Sequence, residues 1–200
     1  METISKYQRK LSKSEINDLP LERYERPAHL IRSLEELPAA LEALRAAKLL
    51  GFDTETRPAF RKGQHYLPSL IQLATKDAVY LLQLRHLGLP EELQALLADA
   101  EITKAGVAVT DDIKGLQEIA PFTPAGFIDI GALAEDLELP TRGLRNLTAN
   151  LLGFRISKGA QRSNWAVDEL SPKQIAYAAM DAWISRRLYL RLQELSSSCL

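Results

Sequence analysis

The chain has 200 residues, 46% of them apolar, and its 25 Lys or Arg against 26 Asp or Glu leave a formal net charge of -1. That size and apolar share suit one globular domain with a substantial core, and the near-zero charge excludes a basic arm that coats nucleic acid by bulk attraction. The single cysteine, Cys199, excludes an internal disulfide and a multi-cysteine zinc site, and the absence of an apolar leader or spanning segment makes a soluble, reducing, cytoplasmic setting without a membrane the expectation.

Residues 1–24 are polar and weakly periodic, which predicts an N-terminal arm that packs on the domain or stays mobile; residues 25–200 are expected to form the domain itself. Ala28 to Ile31 reads as a first strand. Ser33 and Glu36 form a capping-box pattern ahead of Leu34, Leu37, Leu41 and Leu44, which recur at helical spacing. Leu49 to Glu55 is the next strand. Arg57 to Tyr66 is a loop by its Pro and Gly content, and it carries Arg57, Arg61, Lys62, Phe60 and Tyr66. Two strands, Leu70 to Leu73 and Ala78 to Leu82, flank a turn at Lys76-Asp77. Pro90 opens a helix from Glu91 to Leu97, and Lys104 to Val109 reads as a strand. Thr110-Asp111-Asp112 then caps a helix to about Ile119. Phe127 to Ile130 is a strand or the entry to a helix ending near Leu137. Leu144, Leu147, Leu151 and Leu152 mark a helix closed by Gly153. Ser171-Pro172-Lys173-Gln174 is a strong helix start, and that helix is expected to run to near Leu195. Strands interleaved with helices predict an α/β fold, a mixed sheet covered on both faces.

The chemistry concentrates at Asp53 and Glu55. Alternate residues of a strand share a face roughly 7 Å apart, so the two carboxylates point the same way and repel unless a cation lies between them. All-oxygen ligation suits Mg²⁺ or Mn²⁺ rather than zinc. Asp111 and Asp112 are both in reach of that strand end, because a helix cap and its first residue are neighbours. Tyr177 and Asp181 are four residues apart on one helix face, about 6 Å along the axis, so a tyrosine hydroxyl there could position a water beside a metal-bound carboxylate. Charge is also segregated: Arg142, Arg145, Arg155, Lys158 and Arg162 lie in a stretch with no acid, a solvated face or a surface that holds phosphates.

Taken together, Asp53-Thr54-Glu55, Gly106-Val-Ala-Val-Thr-Asp-Asp112-Ile-Lys-Gly-Leu116 and Tyr177-Ala-Ala-Met-Asp181 resemble the three motifs of the DEDDy 3′-5′ exonucleases. That family includes ribonuclease D and the Werner helicase exonuclease domain. Pro68-Ser-Leu-Ile-Gln-Leu73, Val79-Tyr-Leu-Leu82 and Ser163-Asn-Trp165 extend the likeness over residues 28–195. The resemblance implies a ribonuclease H-like fold and two-metal hydrolysis of terminal phosphodiester bonds of DNA or RNA, with release of nucleoside 5′-monophosphates from a single-stranded 3′ end. It also implies two divalent ions, Mg²⁺ or Mn²⁺, with Asp53 bridging both, Glu55 and Asp181 holding one, and Asp112 completing the shell of the other. Tyr177 would align the attacking water. The family spacing from Gly106 selects Asp112 and leaves Asp111 as the helix cap. Alanine stands at position 176, where the related histidine subgroup carries its His, and His29, His65 and His86 lie away from the motifs.

For the substrate strand, Arg57 and Lys62 are expected to meet phosphates while Phe60 or Tyr66 stacks on a base, and Lys158 and Arg162 to grip the chain near the scissile bond. The helical nucleic-acid-binding domains of ribonuclease D are not expected here. The Werner-like surroundings tilt the polymer toward DNA. The alternative is a catalytically silent member that binds nucleic acid or a protein.

Overall fold

The computed structural model describes residues 4–61 and 63–197. A helical turn at Ile4–Tyr7 and α1 (Lys13–Asp18) precede β1 (Ala28–Ile31), α2 (Leu37–Arg45) and β2 (Leu49–Thr56). Then come β3 (Pro68–Ala74), β4 (Val79–Gln83), α3 (Leu84–Leu87), α4 (Glu91–Leu97), β5 (Thr103–Gly106) and α5 (Val109–Ile119). β6 (Phe127–Asp129), α6 (Ile130–Asp136), α7 (Leu144–Leu147) with a π-helical turn at Thr148–Leu152, and α8 (Pro172–Ser197) complete the chain. The six strands form one sheet in the order β1-β4-β3-β2-β5-β6. β2, β3 and β4 are antiparallel neighbours, while β1 joins β4, β5 joins β2 and β6 joins β5, all in parallel.

Helices cover both faces, as the alternation of elements predicts. Leu50 and Phe52 of β2 lie in an apolar cluster with Leu37, Leu41 and Leu44 of α2 and Leu93, Leu96 and Leu97 of α4. On the opposite face, Leu70, Leu81 and Ala74 pack with Ala178, Ala179 and Ala182 of α8. The approach of α8 to the sheet is close enough to require a glycine. A Cβ on Gly51 would lie 1.9 Å from the Ala182 carbonyl oxygen. Because Asp53 and Glu55 follow Gly51 at steps of two, they share its face and look toward α8.

Several boundaries differ from the sequence expectation. Glu36 does reach back, its carboxylate accepting from the Arg32 and Ser33 amides at 2.9 and 3.2 Å, but the helix begins at Leu37. Pro38 has no N–H and is accommodated only in a first turn, so it sets that start; Leu34, left outside, is 57% exposed. β5 stops at Gly106 rather than Val109, and Ala108 turns the chain at φ 57° into α5. Asp111 is therefore inside the first turn and is not the cap; Ala108 holds that position. The arm contains ordered helix, with a reciprocal Ser12–Glu15 capping box, and it is packed: Tyr7 is buried and its carbonyl accepts from Asn150 at 2.7 Å. No helix among the described residues is long and apolar enough to cross a membrane.

Candidate active site

β2 and α8 build the site between them. β2 delivers Asp53 and Glu55 beyond the last parallel pairing with β5, where Gly51 faces Ala105. α8 delivers Tyr177 and Asp181 from its second and third turns. Its start is fixed by a reciprocal pair: the Ser171 hydroxyl accepts from the Gln174 amide at 3.3 Å, and Gln174 Oε1 accepts from the Ser171 amide at 3.1 Å.

The result is a cleft of about 450 Å³ whose lining includes Asp53, Glu55, Tyr177 and Asp181 together with Arg145, Asn146, Lys158 and Gln161. Carboxylate oxygens of Asp53, Glu55 and Asp181 all lie within 4.8 Å of one another. Burial raises the proton affinity of each, and mutual repulsion adds to it for Asp53 and Glu55. The Asp53 carboxyl is held well above the ordinary carboxylate range by burial and then by Asp181 and Asp112. Glu55 is pushed up to about 10, by burial first and then by Asp53. Asp181 is raised to about 7 by burial, against the opposing pull of the Tyr177 hydroxyl and of Arg145. The phenol of Tyr177 is itself driven up by burial and the Asp181 charge, so it stays protonated and donates. Three crowded, desolvated acids, with Arg145 giving Asp181 only partial relief, are a poor arrangement for a metal-free protein and a fitting one for hard divalent cations.

Asp112 lies beside this group rather than in it. The Thr54 hydroxyl donates to its carboxylate at 2.5 Å, and its oxygens are not within the 4.8 Å cluster. It is near enough for its charge to act on Asp53 and Glu55, and burial lifts it to about 6. Asp111 points the other way, 93% exposed, and pairs with Lys114. The choice between adjacent acids, open on spacing alone, is thus resolved in space by which one turns toward β2.

The expected substrate residues separate. Lys158 lines the cleft. Arg57 is exposed and its guanidinium sits over the Tyr66 ring at 5.0 Å; Arg162 is exposed and, like Arg57, is not part of the cleft wall. Phe60 is 80% exposed. Lys62 lies outside the described residues. Arg145, Asn146 and Gln161 were not singled out individually in the sequence, although Arg145 falls in the acid-free cationic stretch that carried the phosphate reading.

Comparison with known proteins agrees with the geometry. Residues 28–196 match the family model described as 3′-5′ exonuclease. The human exonuclease mut-7 homolog is 31% identical over 209 residues, covering 86% of this chain and 24% of that protein. Ribonuclease D of Gluconacetobacter diazotrophicus is 32% identical over 169 residues, covering 82% and 42%. This chain therefore spans between a quarter and a half of the length of these relatives. Among known structures, the Aedes aegypti Nibbler EXO domain superposes with a TM-score of 0.79 at 25% identity, covering 89% of this chain and 94% of that one. Escherichia coli RNase D gives 0.75 at 25% identity over 86% and 45%.

Proposed function

We propose, for a chain that belongs to the 3′-5′ exonuclease family and has its ribonuclease H-like fold, that the cleft hydrolyses the terminal phosphodiester bond of DNA or RNA at a 3′ end and releases nucleoside 5′-monophosphates. The observation that carries this is the meeting of Asp53, Glu55 and Asp181 within 4.8 Å in an open cleft beside Tyr177. Asp53, Glu55 and Asp181 would hold divalent cations, two in number and Mg²⁺ or Mn²⁺ in kind, with Asp112 supporting them from behind Thr54. When bound, such ions supply an activated water and stabilise the departing 3′ oxygen.

The remaining work falls to the chain. Asp53 is anchored by the Thr54 amide, which donates to its Oδ1 at 2.9 Å, so its carboxylate is aimed before any ligand arrives. Tyr177 is packed against the buried Trp165 ring, centroids 6.1 Å apart, which limits where its hydroxyl can sit. A protonated phenol directed at Asp181 can hold a water for attack on phosphorus without itself taking the proton. Lys158 offers a cation to the strand at the mouth. The test is a degradation ladder on 3′- and 5′-labelled DNA and RNA oligonucleotides with Mg²⁺ or Mn²⁺, beside Asp53→Ala. Shortening from the 3′ end alone, lost in the variant, is the expected result. Binding without cleavage in the wild type would overturn it in favour of a silent nucleic-acid-binding member.

A further inference from the structure

Arg145 lines the same cleft as the acids. It is half-buried on α7, and its Nη2 donates to the Ile156 carbonyl at 3.1 Å. Its Nε is buried with no partner among the described residues. A guanidinium has five donors in a fixed plane, so one anchoring bond and one orphaned donor describe a group that is placed but not satisfied. The placement is reinforced from a distance. Ile156 follows Arg155, whose amide donates to the Pro20 carbonyl at 2.9 Å and whose carbonyl accepts from the Glu22 amide at 3.0 Å. The segment that anchors Arg145 is thus clamped by the N-terminal arm. Arg57 and Arg162 are not part of the cleft wall.

The charge of Arg145 acts on Tyr177 and Asp181 in particular. Tyr177 is the residue proposed to hold the attacking water, and Asp181 is the acid its hydroxyl bonds. Once the carboxylates are neutralised by cations, the anion that remains to match this arginine is the substrate's own phosphate.

Resting on the exonuclease reading, we infer that Arg145 is a catalytic residue that binds the scissile phosphate through a non-bridging oxygen. As the bond from the water oxygen to phosphorus forms, the P–O3′ bond breaks. The water's proton passes to solvent, and the 3′ oxygen of the shortened strand takes a proton from water. The phosphate departs with the released monophosphate, so Arg145 holds the product as well. Planar, multi-donor recognition of phosphate is what arginine provides and lysine does not.

The experiment compares wild type with Arg145→Ala, Arg145→Lys and Arg145→Gln in Mg²⁺. Two measurements are needed: binding of adenosine 5′-monophosphate against adenosine by calorimetry, and kcat on labelled oligonucleotides against the p-nitrophenyl ester of thymidine 5′-monophosphate, which has a single phosphodiester. Arg145→Ala is expected to lower kcat on both substrates by about 100-fold. It should weaken the monophosphate by about tenfold while leaving adenosine unchanged. Arg145→Lys should recover part of each loss. Should the alanine variant fold poorly, Arg145→Gln carries the test, since an amide can still donate toward Ile156 without the charge. Wild-type kcat and monophosphate affinity in a folded Arg145→Gln would overturn the inference, as would a loss confined to oligonucleotides, which would place the contact at a different phosphate. An inactive wild type would sink the exonuclease reading and this inference with it; an active wild type with an indifferent glutamine variant sinks this inference alone.

Discussion

The two faces of β2 carry opposite chemistry. Leu50 and Phe52 are fully buried on one side, among leucines of α2 and α4. Gly51, Asp53 and Glu55 look the other way, and there the strand ends in acids whose ionised forms burial and repulsion oppose. A two-residue period thus divides stability and chemistry between sides of the same eight-residue strand. The apolar side holds the backbone rigid, and the rigid backbone keeps the acids crowded where free side chains would part.

The largest effect that separates the faces is expected from Asp53→Asn. It removes a cation ligand, and turnover should fall by at least ~10³-fold, about 4 kcal/mol of barrier. It also removes a carboxyl whose ionised form burial and the neighbouring acids oppose, so at a pH where the unfolded carboxylate is ionised the metal-free protein should melt at a higher temperature than wild type. Activity loss together with a lower metal-free Tm would mean that Asp53 stabilises the fold, and the division would not hold.

The converse change is Leu44→Ala on the apolar side, where the side chain is 0% exposed. Urea titration should show a loss of ~3 kcal/mol from lost burial and the cavity left behind. Turnover per folded molecule should stay near wild type; a matching fall in kcat would show that the faces are coupled.

Third is the dependence of stability on pH and metal. Asp112, Asp181 and Glu55 titrate at about 6, 7 and 10 in the folded chain, and near 4 when unfolded. The folded state therefore binds more protons through that interval. Their contribution to stability is full at low pH and is lost as pH rises through the folded values. In a chelator, Tm should fall from about pH 5 to pH 8. Bound cations require the ionised acids, so Mg²⁺ at about 100 times its Kd should restore ~2.7 kcal/mol. A metal-free Tm that rises over this range would contradict the crowding of uncompensated carboxylates.

What was readable in the sequence follows the same division. Local signals with one physical meaning were placed correctly: the Leu49 strand, the Ser171-Pro172 helix start and the Gly153 stop, where φ is 75°. Signals that two sites could satisfy were not. Ser33 and Glu36 have the composition of a cap, and Pro38 overrode it. Asp111 and Asp112 are chemically identical, so local chemistry left both open; the family spacing selected Asp112, the one that meets Thr54, but misplaced Asp111 as the cap. α3 has four residues, too few to show a helical period. Arg145 was legible only as one cation of the acid-free stretch, because what sets it apart, its bond to Ile156 eleven positions away, is a contact that no periodicity encodes.

The smallest effect bears on how α8 is aimed. Ser171→Ala removes the hydroxyl that accepts from the Gln174 amide and donates to Gln174 Oε1 at 2.9 Å. A lost N-cap should cost ~1 kcal/mol, and Ser171→Gly only a few tenths. Fraying at that end reaches Tyr177 before Asp181, since Asp181 is buried against the sheet three turns into the helix. Metal affinity, set by the acids, should therefore stay near wild type while kcat falls by less than about threefold, because the water-positioning phenol is the group that loosens. Calorimetric titration of Mn²⁺ beside single-turnover rates separates the two. A loss of Mn²⁺ affinity larger than the loss of rate would show that the cap positions Asp181, and that α8 moves on the sheet as one rigid rod.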